Sequence, residues 1–208
     1  MELESIFRIG FVLSFLAMLS IRIYFQLKVL NDQRKIDFRE GPLSLAAGSL
    51  AALVTIVFGG EYIFSPGSFE FAYQLPFPIG LRWAGAVMLT AGTVLLAAAQ
   101  KHLGRSFHSL IVVKQDHAFV SSGPYHWIRH PIYTAYLLNY TGGGLLAGNW
   151  VLAFVPTILY SLLVVMRMKH EEQVLIDQFG DSYCSYMQRT GRLFPRFCST
   201  TRRRDRPR

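Results

Sequence analysis

The sequence predicts an all-α, polytopic helical membrane protein with about five transmembrane helices, the last two folded as a helical hairpin. Apolar residues fill 51% of its 208 positions and charged residues only 16%, a balance too apolar for an average soluble domain. Five stretches approach the roughly 20 residues that cross a hydrocarbon core. Lys and Arg also alternate between successive loops, as the positive-inside rule requires of a chain that threads a membrane repeatedly.

The first stretch, residues 5–30, follows Glu2 and Glu4 where a cleavable leader would be basic, and its apolar run is too long for one. It is expected to stay in the mature protein. The second, residues 43–64, is rich in Ala, Gly and Ser, and Ser44, Gly48 and Ala52 recur four apart, which predicts close helix packing on that face. A Pro-bearing loop with Phe and Tyr residues suited to the interface leads to the third stretch, residues 76–100. Glu61 and Arg82 stand near the ends of these two spans, where snorkelling accounts for both. Residues 131–147 and 150–168 are separated only by Asn149 and its neighbours, so they read as a tight hairpin, either shallow or fully crossing.

The connection 31–42 holds Arg34, Lys35 and Arg39, whereas 65–75 holds no Lys or Arg; 101–129 again holds Lys101, Arg105, Lys114 and Arg129. These counts place the first and third loops and the C-terminal segment in the cytoplasm and the N-terminus outside. Three regions follow: a three-helix scaffold over 1–100, a catalytic region over 101–195, and a basic tail over 196–208 expected to lie disordered on anionic lipid. The net charge of +8 sits in segments beside the spans, which points to lipid headgroups and not to nucleic acid.

Two cysteines, Cys184 and Cys198, have no metal-site spacing and are read as reduced and incidental. His102, His108, His117, His126 and His130 invite a metal reading, but no Cys or carboxylate completes a ligand set, and Pro131 turns His130 away from a helical face shared with His126. No metal is expected. From Met166 to Tyr186, Val174, Leu175, Phe179 and Tyr183 recur at helical spacing among charges, predicting an amphipathic cytoplasmic helix that continues the last span. Gly180 could end or bend it, and Asp181 could cap the turn that follows.

The chemistry concentrates in two blocks. Arg167 and Glu171 are four apart and share a helix face. Arg129, His130 and Tyr133 lie at the other end of the hairpin, so folding it should bring Arg129 and His130 against Arg167, Glu171 and Glu172. A pocket of two guanidinium groups and two carboxylates beside apolar walls complements a zwitterion. Gly142, Gly143, Gly144 and Gly148 would allow close packing of the hairpin or a lateral opening for a lipid chain, packing being the simpler role.

The run from His117 through Gly123-Pro-Tyr125-His-Trp-Ile-Arg129-His130-Pro131-Ile-Tyr133, with Arg167, Glu171-Glu172, Leu175 and Phe179-Gly180-x-x-Tyr183-x-x-Tyr186, resembles the isoprenylcysteine carboxyl methyltransferase family. The resemblance covers roughly residues 103–195. It implies an integral membrane methyltransferase that uses S-adenosylmethionine and a lipid-like or prenylated acceptor, with its site on the cytoplasmic face. Carried onto this chain, it implies cofactor contacts at His117, Ala118, Phe119, Val120, Tyr125, His130, Pro131, Ile132, Tyr133, Glu171 and Glu172. Glu171 would bind the methionyl end, Arg167 the acceptor carboxylate, and Arg167, Glu171 and Arg129 would form the catalytic group.

That reading suits the residues. Displacement at a sulfonium needs donor and acceptor held in register with water excluded, and an ionised carboxylate needs no general base. Phe119, Tyr125 and Tyr133 offer aromatic faces for adenine and for a sulfonium; Trp127 reads better as an interfacial anchor. Phospholipid amines are an alternative acceptor. A second enzyme class, the NADPH-dependent membrane sterol reductases, shares a related hairpin but resembles Arg-Asp at the position of Glu171-Glu172. A helical scaffold or transporter subunit, its charges serving only as anchors, is a third reading.

Overall fold

A computed structural model of the chain describes residues 2–30, 42–106 and 119–196. Six α-helices are present among them: α1 (Glu2–Leu30), α2 (Pro42–Phe64), α3 (Ile79–Ser106), α4 (Pro131–Ala147), α5 (Trp150–Phe179) and α6 (Asp181–Arg189). Four of them, α1, α2, α3 and α5, are long and apolar enough to cross a membrane; α4, with 17 residues, falls short of that length. Their outer faces carry exposed Leu13, Leu16, Val87, Ile158 and Leu162, which suits contact with lipid.

Short breaks with definite chemistry set the helix ends. Pro131 starts α4, where its missing N–H costs nothing, and Gly148 closes it in the left-handed region at φ 69°. Asn149 then caps α5, its side chain accepting the Leu152 N–H at 2.9 Å. This two-residue junction is what folds α4 and α5 into the hairpin. Gly180, at φ 50°, ends α5 and separates it from α6. The amphipathic stretch read from the sequence is therefore the end of one helix plus a second short helix. Asp181 lies in the first turn of α6, where its charge suits the helix N-terminus.

Glycines let the backbones meet. A Cβ on Gly85 would stand 2.6 Å from Leu146 N and 2.8 Å from Gly142 O, so α3 and α4 cross almost backbone to backbone. Gly144 faces the Ala153 backbone across the hairpin, where a Cβ would not fit. In α2, Gly48 packs against Leu163 of α5 and Ala51 is wholly buried, while Ala52 points outward. The close-packing face thus runs through Gly48 and Ala51, not through the four-residue spacing to Ala52. The side chain of Ser44 lies outside the described residues.

In place of the snorkelling expected of Glu61 and Arg82, both side chains bond within the protein, Glu61 buried and Arg82 paired with a half-exposed Glu4. Arg82 donates to both oxygens of Glu4 at 2.6 and 3.0 Å and to Leu146 O at 2.9 Å, tying α1, α3 and the end of α4. Glu61 accepts from the Tyr73 hydroxyl at 2.6 Å and from Gly67 N at 2.7 Å. Both charges find protein partners within reach and so need not extend to water.

Candidate active site

The site forms where the start of α4, the end of α5 and the segment after α6 converge. Ahead of α4, Gly123–His126 makes one 3-10 turn, with Gly123 at φ 59° and backed by the His102 ring so closely that a side chain there would clash. Residues 127–130 then run alongside the chain beyond α6, bridged at Ile128 and Gly191. Gly191 N donates to Trp127 O at 3.2 Å, Arg129 N to Gly191 O at 2.8 Å and His130 N to Arg192 O at 3.0 Å. Thr134 Oγ1 adds a 2.7 Å bond to Leu193 O. Arg129 and His130 are thereby held on both sides, which a lone loop could not do.

Glu172 is the hub. Its side chain is 3% exposed, and it receives Arg129 Nε at 2.9 Å, Arg192 Nη2 at 2.5 Å and His130 Nε2 at 3.3 Å. Arg129 Nη1 also donates inside the protein, to Met187 O at 3.0 Å and Thr190 O at 2.5 Å. A carboxylate so enclosed by charged donors is fully satisfied. Arg129 and Glu172 therefore build the frame of the pocket, although the sequence suggested that both face a ligand.

Glu171, one residue earlier on α5, points elsewhere, since successive helical residues diverge by about 100°. Its side chain is 26% exposed, and its carboxylate accepts the Tyr133 hydroxyl at 2.5 Å. His130 Nδ1 lies 3.6 Å from Glu171 Oε2, and Arg167 Nε 3.6 Å from its Oε1. The His130 ring stacks on Tyr133 with centroids 5.5 Å apart. His130 thus stands between the two glutamates, joined to the enclosed one and turned toward the accessible one. Arg129 and Arg192 both bond Glu172, while Arg167 stands beside Glu171.

Aromatic rings form the adjoining wall. Phe119 packs on Tyr186, Tyr183 and Phe179 with centroids 4.8, 5.2 and 5.6 Å away. Tyr125 is buried, and its carbonyl accepts the Tyr186 hydroxyl at 2.5 Å. Burial raises the Tyr125 phenol well above its ordinary range; burial and then the Glu172 carboxylate do the same for Tyr183. Burial, opposed by Arg129, pushes Tyr186 up to about 12. All three stay neutral donors near neutral pH.

Of the other residues singled out from the sequence, Pro131 is fully buried and serves the start of α4, while Val120 and Ile132 are half-buried nearby. His117 and Ala118 lie outside the described residues. Trp127 is 63% exposed, as an interfacial anchor would be. Among the described residues no three His, Cys, Asp or Glu side chains gather as metal ligands would. Sequence reasoning missed Arg192; its only signal was a charge shortly after the helix that follows Gly180.

Residues 85–177, which include the start of α4 and both glutamates, match the model of the isoprenylcysteine carboxyl methyltransferase (ICMT) family. Protein-S-isoprenylcysteine O-methyltransferase of Schizosaccharomyces pombe is 35% identical over 107 residues, covering 49% of this chain and 44% of that protein. Protein-S-isoprenylcysteine O-methyltransferase B of Arabidopsis thaliana is 28% identical over 144 residues, covering 68% of this chain and 70% of its own. The chain thus spans less than half the length of the first relative. In three dimensions the chain is similar to a solved structure of the eukaryotic intramembrane Ras methyltransferase ICMT, with a TM-score of 0.55 and 23% identity over 89% of this chain and 67% of that one, a likeness of fold. The segment carrying the His130–Glu171–Glu172 cluster lies within the residues that match the family's model, and over this segment the chain is similar to the isoprenylcysteine carboxyl methyltransferase family.

Proposed function

We propose that this protein is an S-adenosylmethionine-dependent membrane methyltransferase that esterifies the carboxylate of a lipid-like acceptor, in the first instance an isoprenylcysteine, at the cytoplasmic face of its membrane. The observation that carries the reading is the accessible Glu171 carboxylate, held by Tyr133 and flanked by His130 and Arg167.

The residues present fit the methyl donor. Glu171 offers a carboxylate for an ammonium group, His130 Nδ1 an adjacent acceptor, and the Phe119–Tyr183–Tyr186 wall apolar faces for a flat base. When bound, S-adenosylmethionine supplies a methyl group on a sulfonium. The chain's own part is to hold the two reactants in line, to keep Arg167 ready for the acceptor carboxylate, and to exclude water with the aromatic wall.

An apolar, lipid-derived acceptor is supported by the aromatic path that leaves the site along the hairpin. Tyr133, Tyr136 and Tyr140 of α4 line up against Tyr160 of α5, at centroid distances of 6.4, 5.4 and 5.3 Å. Beyond Tyr140 lies a small apolar cavity lined by Phe11, Met18, Leu89 and Gly143. The names of the two relatives add support for the acceptor class. Neither relative is named a reductase, and the sterol-reductase alternative is not favoured.

The test is transfer of label from methyl-tritiated S-adenosylmethionine to an S-farnesylated N-acetylcysteine by the detergent-purified protein. The expected product is a base-labile methyl ester. A protein that labels neither this acceptor nor a total lipid extract contradicts the reading.

A further inference from the structure

We infer that Arg192 is a positioning residue for methyl-donor binding: by clamping Glu172 it fixes His130 so that Nδ1 and the Glu171 carboxylate together receive one N–H-bearing cation. The inference rests on the methyltransferase reading and adds to it a residue from outside the hairpin.

An arginine whose side chain is 49% exposed would ordinarily be a surface ion pair of little consequence. Its partner decides otherwise. Glu172 is 3% exposed, so the contact is charge-assisted and desolvated on the carboxylate side. Arg192 reaches both oxygens, Nη2 to Oε2 at 2.5 Å and Nε to Oε1 at 3.3 Å, a two-nitrogen fork that the single nitrogen of an ammonium does not reproduce. Glu172 Oε1 is also the atom that His130 Nε2 addresses at 3.3 Å. From that geometry the Nε2 tautomer is assigned, which leaves a lone pair on Nδ1.

Nδ1 then faces Glu171 Oε2 at 3.6 Å, beyond hydrogen-bond range, so the two acceptors present an opening that a donor group would bridge. Rotating Glu172 would turn or re-tautomerise His130 and spoil that pair without altering Glu171 itself. The backbone brings Arg192 to this task, since His130 N donates to the Arg192 carbonyl at 3.0 Å. Residue 192 is thus tied to residue 130 twice, once through the main chain and once through Glu172.

The test compares Arg192→Gln, Arg192→Lys and, as a charge-matched control, Arg189→Gln. Arg189 is exposed and its guanidinium bonds only within its own helix among the described contacts, to Ser185 O. S-adenosylhomocysteine affinity, KM for donor and for acceptor, and Tm are measured on each full-length protein. Arg192→Gln is expected to weaken donor-side affinity by about tenfold, with acceptor KM changed by less than about twofold and Tm lowered less than in Arg129→Ala. Arg192→Lys is expected to fall between Arg192→Gln and wild type, and Arg189→Gln to match wild type. Should Arg192→Gln fail to fold, a folded Arg192→Lys with weakened donor affinity alone carries the inference, and one that weakens donor and acceptor alike overturns it. Wild-type protein that binds S-adenosylhomocysteine while Arg192→Gln binds it equally well overturns this inference alone. Wild-type protein that does not bind it overturns the methyltransferase reading and this inference with it.

Discussion

The guanidinium of Arg129 lies 2.9 Å from the carboxylate of Glu172, across 43 positions of sequence, with both side chains almost wholly buried. This pair closes the open end of the hairpin and fixes the distance between the start of α4 and the end of α5. Everything that faces the pocket is mounted on one side of it or the other.

Removing one partner of a buried pair costs about 3–5 kcal/mol where the remaining charge is left unpaired, and Arg192, still bonded to Glu172, holds the cost of losing Arg129 to the lower end of that range. Arg129→Ala is therefore expected to lower the melting temperature in detergent by roughly 10 °C, as read by intrinsic fluorescence. A change of a degree or less would show that the pair does not hold the site together.

Tyr133→Phe deletes the hydroxyl that donates to Glu171 while keeping the ring that stacks on His130. A hydrogen bond to a charged acceptor is worth about 1.5–3 kcal/mol. Methyl-donor affinity should fall by about tenfold or more with the fold intact, measured by isothermal titration alongside circular dichroism.

How much of this was legible in the sequence differs from residue to residue. The hairpin was, because Gly148 and Asn149 interrupt an apolar run with a left-handed turn and a helix cap. The meeting of residues 129–133 with 167–172 followed from it. The division of labour between Glu171 and Glu172 was not, since it depends on which way α5 is rotated, and that is fixed by packing elsewhere along the helix. Arg192 was hidden for another reason: it reaches Glu172 only because residues 127–130 pair with residues 191–192, and nothing local announces that pairing. The bonding of Arg82 and Glu61 within the protein was masked by a simpler expectation about span ends.

Glycine packing gives a stability test with a built-in control. A Cβ on Gly144 would collide with the Ala153 backbone, whereas Gly60 of α2 has open space around its would-be Cβ. Gly144→Ala is expected to cost about 1–3 kcal/mol or to abolish folding, and Gly60→Ala to be neutral or slightly stabilising through helix propensity. Thermal melts of the two variants side by side decide it.

The tyrosines beside the site give a pH signature. A phenol raised in the folded protein holds its proton where the unfolded chain would lose it, so this contribution is intact below pH 10 and is lost as pH rises toward the folded value, about 12 for Tyr186. Melting temperature should decline between pH 10 and 12, and Tyr186→Phe should flatten that decline. Phenolate absorbance followed through the same range checks which tyrosines ionise late.

The most direct measurement is isothermal titration of the purified protein with S-adenosylhomocysteine, run in parallel on Glu171→Gln. Saturable binding to the wild type, weakened by about tenfold or more in the variant, is the expected result. No binding at millimolar ligand, or equal binding to both proteins, would contradict the assignment of the Glu171 pocket as the methyl-donor site.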